Sequence, residues 1–149
     1  MNPGTEKFDK IKIDPQPARK LRVLQVLPEL NVGGVETGTV DFAKYLKDQG
    51  HYPVVVSKGG LLVKELDRAG IKHYTLPVHQ KNFWVILKSI RALRKIILSE
   101  NIDIVHARSR VPAWVAFFAC RRTHAEFLTT CHGYYSTHFL SRVMGWAKL

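Results

Sequence analysis

Cysteine is scarce in this sequence of 149 residues, in which only Cys120 and Cys131 occur. The two cysteines show neither C-x-x-C spacing nor a metal-ligand pattern, so both are predicted to be free, chemically inert thiols. This usage excludes a small secreted domain held together by disulfides and is typical of a reducing compartment.

Long hydrophobic runs are also absent from the sequence. No apolar stretch reaches the roughly eighteen residues that a membrane-spanning helix needs. The first twenty residues carry charges throughout and lack the apolar core of a secretory signal, so a cytoplasmic protein is expected. Hydrophobic residues nevertheless make up 46% of the chain. That content predicts a globular protein, and the length suffices for one compact domain but not for two.

Acidic residues are few, since 12 Asp and Glu stand against 23 Lys and Arg for a net charge of +11. Such an excess favours an anionic partner: nucleic acid, a membrane surface or phosphorylated small molecules. The excess is concentrated in residues 81–122, which hold nine basic residues against Glu100 and Asp103. Nucleic acid is not expected, because neither a recognition motif nor an aromatic stacking platform accompanies the charge. Solvated helix faces are the simpler alternative explanation.

The residues that are present form short apolar runs that alternate with helical patterns. Residues 1–20 contain three prolines and no periodicity, which predicts a flexible tail before a domain at residues 21–149. The predicted strands lie at 21–27, 52–57, 71–76, 103–107 and 126–131, and the predicted helices near 35–49, 61–69, 82–99 and 112–122. Strands separated by helices pair in parallel through right-handed crossovers. The pattern predicts an α/β fold, a doubly wound parallel Rossmann-like sheet of about five strands with flanking helices.

The predicted helix at 82–99 is amphipathic. Its apolar residues fall on one face and its basic residues on the other: Ile86, Ile90, Leu93 and Ile97 against Lys88, Arg91 and Lys95. Phe83 and Trp84 begin this helix, and packing in the core or at its rim is favoured over a membrane-interface anchor for both. After residue 131 the pattern predicts the start of another helix, and the chain ends without the strand that should follow it. The domain is therefore expected to be incomplete at its C-terminus, with the fifth strand as an open edge where a second copy could pair.

The segment "LPELNVGGVETG", residues 27–38, joins the first strand to the first helix through Gly33 and Gly34. In an open parallel sheet, the loops after the strands line the ligand crevice. Glycines there let backbone N–H groups at a helix start approach a phosphate, while Glu36 suits the first turn and is a candidate to bond ligand hydroxyls. The alternative is that a tight connection needs glycine for its own geometry. Neither G-x-x-x-x-G-K-[ST] nor G-x-G-x-x-G is present.

Two further strand ends carry polar residues to the same predicted edge. The fourth strand brings His106 and Arg108, and the fifth is followed by His132, Gly133 and Tyr134. Imidazole, guanidinium and backbone donors in one crevice favour a site for a phosphorylated, hydroxyl-rich ligand.

Four stretches of the sequence resemble a known family. They are "VLPELNVGGVETGTVDFAKYLKDQGHYPVVVS", "LDRAGIKHYTLP", "LRKIILSENIDIVHARSRVPAW" and "TTCHGYY". From about Leu21 onward the chain is similar to the N-terminal domain of the family-4 glycosyltransferases, which have the GT-B architecture of two facing Rossmann-like domains. The GGVE-type loop, the D-I-V-H-A segment and the later His-Gly pair are the most specific elements.

The resemblance implies a retaining transferase that moves a sugar from a nucleotide-sugar donor, without a metal or other cofactor. By position, Gly33 and Gly34 would contact phosphate, Arg108 would contact acceptor or phosphate, and His132 would border the transferred sugar as the catalytic residue. The family's second domain, with its Glu-x7-Glu segment, does not occur in this sequence. We therefore expect a truncated chain that is inactive alone.

The leading hypothesis is the acceptor-binding half of a glycosyltransferase for bacterial surface polysaccharide or lipopolysaccharide. Its partners would be a nucleotide sugar, a glycan or lipid-linked acceptor and an anionic membrane surface on the cytoplasmic side. A homo-oligomer that pairs through the exposed sheet edge is a further hypothesis. The alternative is a non-catalytic α/β module that binds a phosphosugar or nucleotide.

Overall fold

The computed structural model describes residues 19–130, in which five strands alternate with four helices. The elements are β1 (Arg22–Val26), α1 (Gly34–Asp48), β2 (Tyr52–Ser57), α2 (Val63–Arg68), β3 (Lys72–Thr75), α3 (Phe83–Ser99), β4 (Ile104–Arg108), α4 (Arg110–Cys120) and β5 (Glu126–Thr130). All neighbouring strands pair in parallel, in the order β3-β2-β1-β4-β5.

The two faces of the sheet bury two separate hydrophobic clusters. Val54 and Val56 of β2 pack with Leu93 of α3 and Val115 of α4, whereas Val55 packs with Val40 and its neighbours from α1 and α2. Successive side chains of a strand point to opposite faces, so α3 and α4 cover one face and α1 and α2 the other. The predicted α/β fold, doubly wound around a parallel sheet, is therefore confirmed.

Element boundaries agree with the sequence predictions to within a few residues. The helix starts shift by at most two residues: α2 begins at Val63 although its pattern predicted a start near residue 61, and α4 begins at Arg110 although its pattern predicted a start near residue 112. Pro112 is the third residue of this helix and is buried. Proline is tolerated in the first turn because the N–H group that it lacks has no helical partner there, so the helix can start before it.

Helix α3 presents the two faces that its sequence predicted. Asn82 caps its start, because its side-chain oxygen accepts a hydrogen bond from the backbone N–H of Trp84 at 2.9 Å. Leu93 and Ile97 are buried, and Ile86 and Ile90 pack beside them. Lys88, Arg91 and Lys95 are exposed on the opposite side.

The preference for core or rim packing of the aromatic pair at the start of α3 was wrong. Phe83 and Trp84 are each 69% exposed. Their rings contact each other edge to face, with centroids 5.5 Å apart. Both lie before Ser89, which is the first buried residue of α3. Neither side chain therefore reaches the hydrophobic cluster.

Two other predictions concern cysteine and membrane insertion. Cys120 is buried, and burial raises the pKa of its thiol to about 11, which leaves almost no reactive thiolate at neutral pH. Cys131 lies outside the described residues. Within residues 19–130, no helix is both long enough and apolar enough to cross a bilayer.

Glu100 anchors the end of α3 to the amino ends of the strands. Its carboxylate, 8% exposed, accepts from Lys72 Nζ at 2.8 Å, from the Tyr74 hydroxyl and from the Tyr52 hydroxyl at 3.3 Å. The Arg22 guanidinium lies 3.7 Å from the same carboxylate. The bond from Lys72 is the main reason that the pKa of Glu100 lies below its usual value, and the bond from Tyr74 adds to it. One carboxylate thus ties α3 to three strands.

Replacing Glu100 tests this tie. We expect Glu100→Gln to lower the free energy of unfolding at pH 7 by about 2 kcal/mol, because the ionised form loses charge-assisted hydrogen bonds. The folded state lowers the pKa of Glu100, so its contribution is present above the ordinary glutamate pKa and disappears as the pH falls through the lowered value. Urea unfolding of the wild type and of Glu100→Gln should show a smaller difference in the free energy of unfolding at acid pH than at pH 7.

The matched control is Glu65→Gln, which removes a carboxylate that is 39% exposed and paired with Lys44 and Arg68 on the surface. Exposed pairs contribute little, so its effect should be smaller. Equal stability of wild type and Glu100→Gln at pH 7 would contradict the assigned role.

Candidate functional site

The site lies at the carboxyl ends of β1 and β4, where the order of the strands reverses. β1 pairs with β2 on one side and with β4 on the other. The chain builds outward from β1 to β3, crosses back through α3 and continues from β4 to β5. Loops after β1 and β4 therefore leave the sheet in opposite directions and open a crevice between them, the usual ligand position in such sheets.

The two glycines after β1 differ in what their surroundings require. Gly33 is the N-cap of α1 with extended backbone, and a Cβ there would collide with the Glu36 carboxylate. Gly34 begins the helix, and a Cβ there would meet no atom within 4 Å. The Glu36 carboxylate is the end of a flexible side chain and could move aside at small cost, so packing favours Gly33 only weakly, whereas the space beside Gly34 is open. Neither glycine has a left-handed backbone, so the backbone of neither supports the alternative that a tight connection needs glycine for its own geometry.

The start of α1 is suited to hydrogen-bond acceptors from a ligand. Gly33 has no side chain to cap the helix, so the N–H groups of the first turn have no partner within it. Glu36, half-buried in that turn, folds back toward Gly33. Its negative charge is favourable at a helix start. The carboxylate can accept hydrogen bonds from hydroxyl groups, while an anion would approach on the open side at Gly34.

The β1–α1 loop is held in place by the loop that follows β2. The backbone N–H of Leu30 donates to the Gly59 carbonyl at 2.9 Å, and the Leu62 N–H donates to the Leu30 carbonyl at 2.8 Å. Gly60 has a φ of +150°, and a Cβ there would collide with the backbone of Leu30. Beside this contact, Lys58 and Glu29 form an ion pair of 2.7 Å. The glycine-bearing loop therefore depends on a second glycine pair, Gly59 and Gly60, further along the chain.

Arg108, at the end of β4, is tied to α1 through Gln25. Gln25 is fully buried in β1; its side-chain N–H donates to the Thr39 carbonyl of α1 at 3.1 Å, and its oxygen accepts from an Arg108 terminal nitrogen at 3.4 Å. Arg108 Nε is buried and, within residues 19–130, has no hydrogen-bond partner. Burial lowers the pKa of this guanidinium, which means that its charge is incompletely solvated. An anionic ligand would supply what the guanidinium lacks.

His106 lies inside β4 and is only 8% exposed. Its Nε2 is 3.1 Å from the Thr130 hydroxyl at the end of β5. In the strand register Gln25 is opposite His106, and Arg108 is opposite Thr130. His106 thus links β4 to β5 behind Arg108.

The family comparison bears on this crevice. The model of glycosyltransferase family 4 matches residues 32–148, most of the chain. The chain belongs to glycosyltransferase family 4. No curated protein sequence matches it.

Several solved structures share the fold of this chain. A glycosyltransferase from Rickettsia africae is 48% identical with a TM-score of 0.74; the match covers 83% of this chain and 33% of that one. MurG from Acinetobacter baumannii is 18% identical with a TM-score of 0.60, covering 82% and 39%. HepE from Anabaena, solved with UDP and glucose, is 17% identical with a TM-score of 0.59, covering 83% and 33%. The chain spans about a third of the length of these proteins.

The structure brings four of the residues predicted to form the site to this edge: Gly33, Gly34, Glu36 and Arg108. His106 belongs to the same strand end but is turned toward β5. His132, Gly133 and Tyr134 lie outside the described residues. Among residues 19–130, no group of three or more His, Cys, Asp or Glu side chains is arranged to hold a metal ion.

Sequence reasoning missed Gln25 and Gly60. The signal for Gln25 was available, because it is the one uncharged polar residue in the apolar run "LRVLQVL" and a buried amide needs partners. No comparable signal identified Leu30 as the neighbour of Gly60.

The contrast between Gly34 and Gly60 is testable by urea unfolding. Gly34→Ala should leave stability unchanged or raise it by roughly 0.5 kcal/mol, since alanine is the better helix former. Gly60→Ala should lower it by about 2 kcal/mol or more, because the backbone angle is unfavourable for alanine and the Leu30 backbone must shift. A large loss of stability for Gly34→Ala would contradict the open space described beside it.

Proposed function

We propose that this chain forms the acceptor-side half of a retaining glycosyltransferase, in which a sugar passes from a nucleotide-sugar donor to a glycan or lipid-linked acceptor. Family membership supports sugar transfer as the general reaction. The structure of HepE with UDP and glucose supports a nucleotide sugar as the donor class. No metal or cofactor is assigned a role.

The observation that carries the proposal is the half-buried guanidinium of Arg108, whose buried Nε has no hydrogen-bond partner among the described residues, at the same edge of the sheet as the uncapped start of α1. Both groups favour negative charge, and both are held in position, by Gln25 and by the Gly59–Gly60 loop. When a nucleotide sugar reacts, the bond from the sugar to the diphosphate breaks and negative charge develops on the leaving oxygen. Preorganised donors at that position stabilise the transition state more than the ground state.

Glu36 and His132 are assigned roles in binding and orienting the sugars. The Glu36 carboxylate accepts hydrogen bonds from sugar hydroxyls, which discriminates a hydroxyl-rich ligand from a bare phosphate. His132 is the proposed catalytic residue that orients the transferred sugar, with Gly133 and Tyr134 beside it, and His106 supports the strand end behind Arg108. These roles need positioned hydrogen bonds and no strong nucleophile.

The proposed setting is the synthesis of bacterial surface polysaccharide or lipopolysaccharide at the cytoplasmic face of a membrane. The acceptors there are glycans or lipid-linked sugars. A chain with a net charge of +11 suits such an anionic environment.

Pyrophosphate binding tests the anion site. In a titration of the 149-residue chain followed by calorimetry and amide NMR shifts, we expect saturable binding with shifts at the start of α1. Gly34→Val should weaken it roughly tenfold or more, a loss of about 1.4 kcal/mol, because a branched side chain fills the approach.

The matched control is Gly38→Val, the same substitution one turn further along the same helix. A Cβ at Gly38 also meets no atom within 4 Å, so folding should tolerate it and pyrophosphate affinity should stay within about twofold of wild type, a difference under 1 kcal/mol. Equal losses for both variants, or no saturable binding by the wild type, would contradict the phosphate site.

His132→Ala tests the catalytic assignment. In a chain that also carries the family's second domain, turnover of nucleotide sugar should fall on the order of 100-fold while the thermal midpoint changes little, since the imidazole acts on the transition state. Absence of sugar transfer by the wild-type enzyme with any nucleotide sugar would favour the alternative, a non-catalytic phosphosugar- or nucleotide-binding module.

A further inference from the structure

The outer surface of α3 and α4 is both basic and aromatic. On α3, the residues Trp84, Lys88, Arg91 and Lys95 follow spacings of four, three and four, so their side chains form one stripe along the helix. All four are exposed. The stripe has an aromatic ring at its first turn and three positive charges behind it.

Helix α4 adds a second exposed group, of which Phe118 lines the groove to α3 while Phe117 packs against Phe127 of β5. Trp114, Phe117 and Phe118 are 55%, 41% and 38% exposed. The Trp114 ring stacks on Phe118 with centroids 6.0 Å apart, and Phe117 meets both rings edge to face. Large aromatic side chains in such a contiguous, exposed group mark a surface that is covered in function.

A groove of about 660 Å³ separates the two helices, and four arginines line it: Arg91, Arg94, Arg121 and Arg122. Arg94 also donates to the carbonyls of Phe118 and Ala119, so it links the helices. Neither helix contains an acidic residue, and residues 104–125 between β4 and β5 contain none either. The surface is therefore positive without internal compensation.

We propose that this α3–α4 surface docks on an anionic lipid bilayer, with Trp84 and the α4 aromatics entering the interface and the arginines and lysines binding lipid phosphates. Aromatic rings prefer the headgroup level of a membrane, and clustered basic residues are attracted to anionic leaflets. Both helices start at the carboxyl ends of the strands that they follow, and the crevice lies at the same edge of the sheet. Docking through their first turns would bring the crevice close to the headgroups, where a lipid-linked acceptor presents its sugar.

A bilayer fits the surface better than a nucleic acid does. The three aromatic residues of α4 pack against one another, one pair stacked and the others edge to face, so their faces are not all free to receive successive bases. Helix α3 adds exposed apolar side chains at both ends: Phe83 and Trp84 in its first turn and Leu98, which is 53% exposed, in its last. Apolar area of this extent gains free energy in a lipid interface and none along a phosphate backbone.

The proposed docking rests on the proposed function, sugar transfer at a membrane. Its test measures vesicle binding and not sugar transfer, so the docking and the proposed function can fail independently. In co-sedimentation of the 149-residue chain with vesicles, binding should be strong to phosphatidylglycerol–phosphatidylcholine mixtures and weak to phosphatidylcholine. Arg91→Gln/Lys95→Gln should lower the anionic partition coefficient roughly thirtyfold, because each basic residue near the surface contributes about fivefold.

The matched control is Lys20→Gln/Lys64→Gln, which removes the same charge from exposed residues outside α3 and α4. It should change binding less than threefold. A second variant, Phe83→Ser/Trp84→Ser, should weaken vesicle binding without changing its dependence on salt. Equal binding to both kinds of vesicle, or equal loss in both charge variants, would overturn the proposal. Tighter binding to duplex DNA, or dimerisation lost on Trp114→Ser, would assign the surface to another partner and overturn it as well.

Discussion

The parallel pairing of β1 with β4 is the constraint on which the crevice depends. It places Gln25 opposite His106 and Val26 opposite Ala107. Because the chain reaches β4 only after crossing back over the sheet, the loops after these two strands diverge. Buried Gln25 then holds Arg108 against α1. Without that pairing, the uncapped helix start and the guanidinium would be unrelated features of two loops.

The two neighbouring glycines show why a sequence motif needs structural interpretation. A Cβ at Gly33 would displace the flexible Glu36 carboxylate, while a Cβ at Gly34 would meet no atom of the described residues within 4 Å. A glycine at a helix start costs stability relative to alanine unless something else needs the space. A ligand that must come close to the backbone of α1 would need that space. Packing therefore explains the pair only in part, and Gly34 is the position at which the proposed ligand would need the space.

The sequence predicted the order, type and approximate bounds of all nine described elements because apolar periodicity directly encodes which face is buried. The candidate residues on β1, β4 and α1 followed from that order, since parallel strands end at one edge. Contacts between distant segments could not be predicted from the sequence. The collision between Gly60 and Leu30 and the tie from Gln25 to Arg108 depend on loop paths and side-chain directions. Phe83 and Trp84 were misassigned because hydrophobicity alone cannot separate a core aromatic from an exposed one.

The two ends of the sheet have different tasks, and Glu100 explains how they cooperate. It fixes the last turn of α3 to the first residues of β1, β2 and β3, at the end opposite the crevice. Arg94 then fixes the last turn of α4 to α3. Both helices are thus held at the amino ends of the strands, so their first two turns, which carry Trp84 and Trp114, keep a constant position relative to the crevice. A docking surface that moved independently of the site could not set its distance from a bilayer, whereas one anchored in this way can.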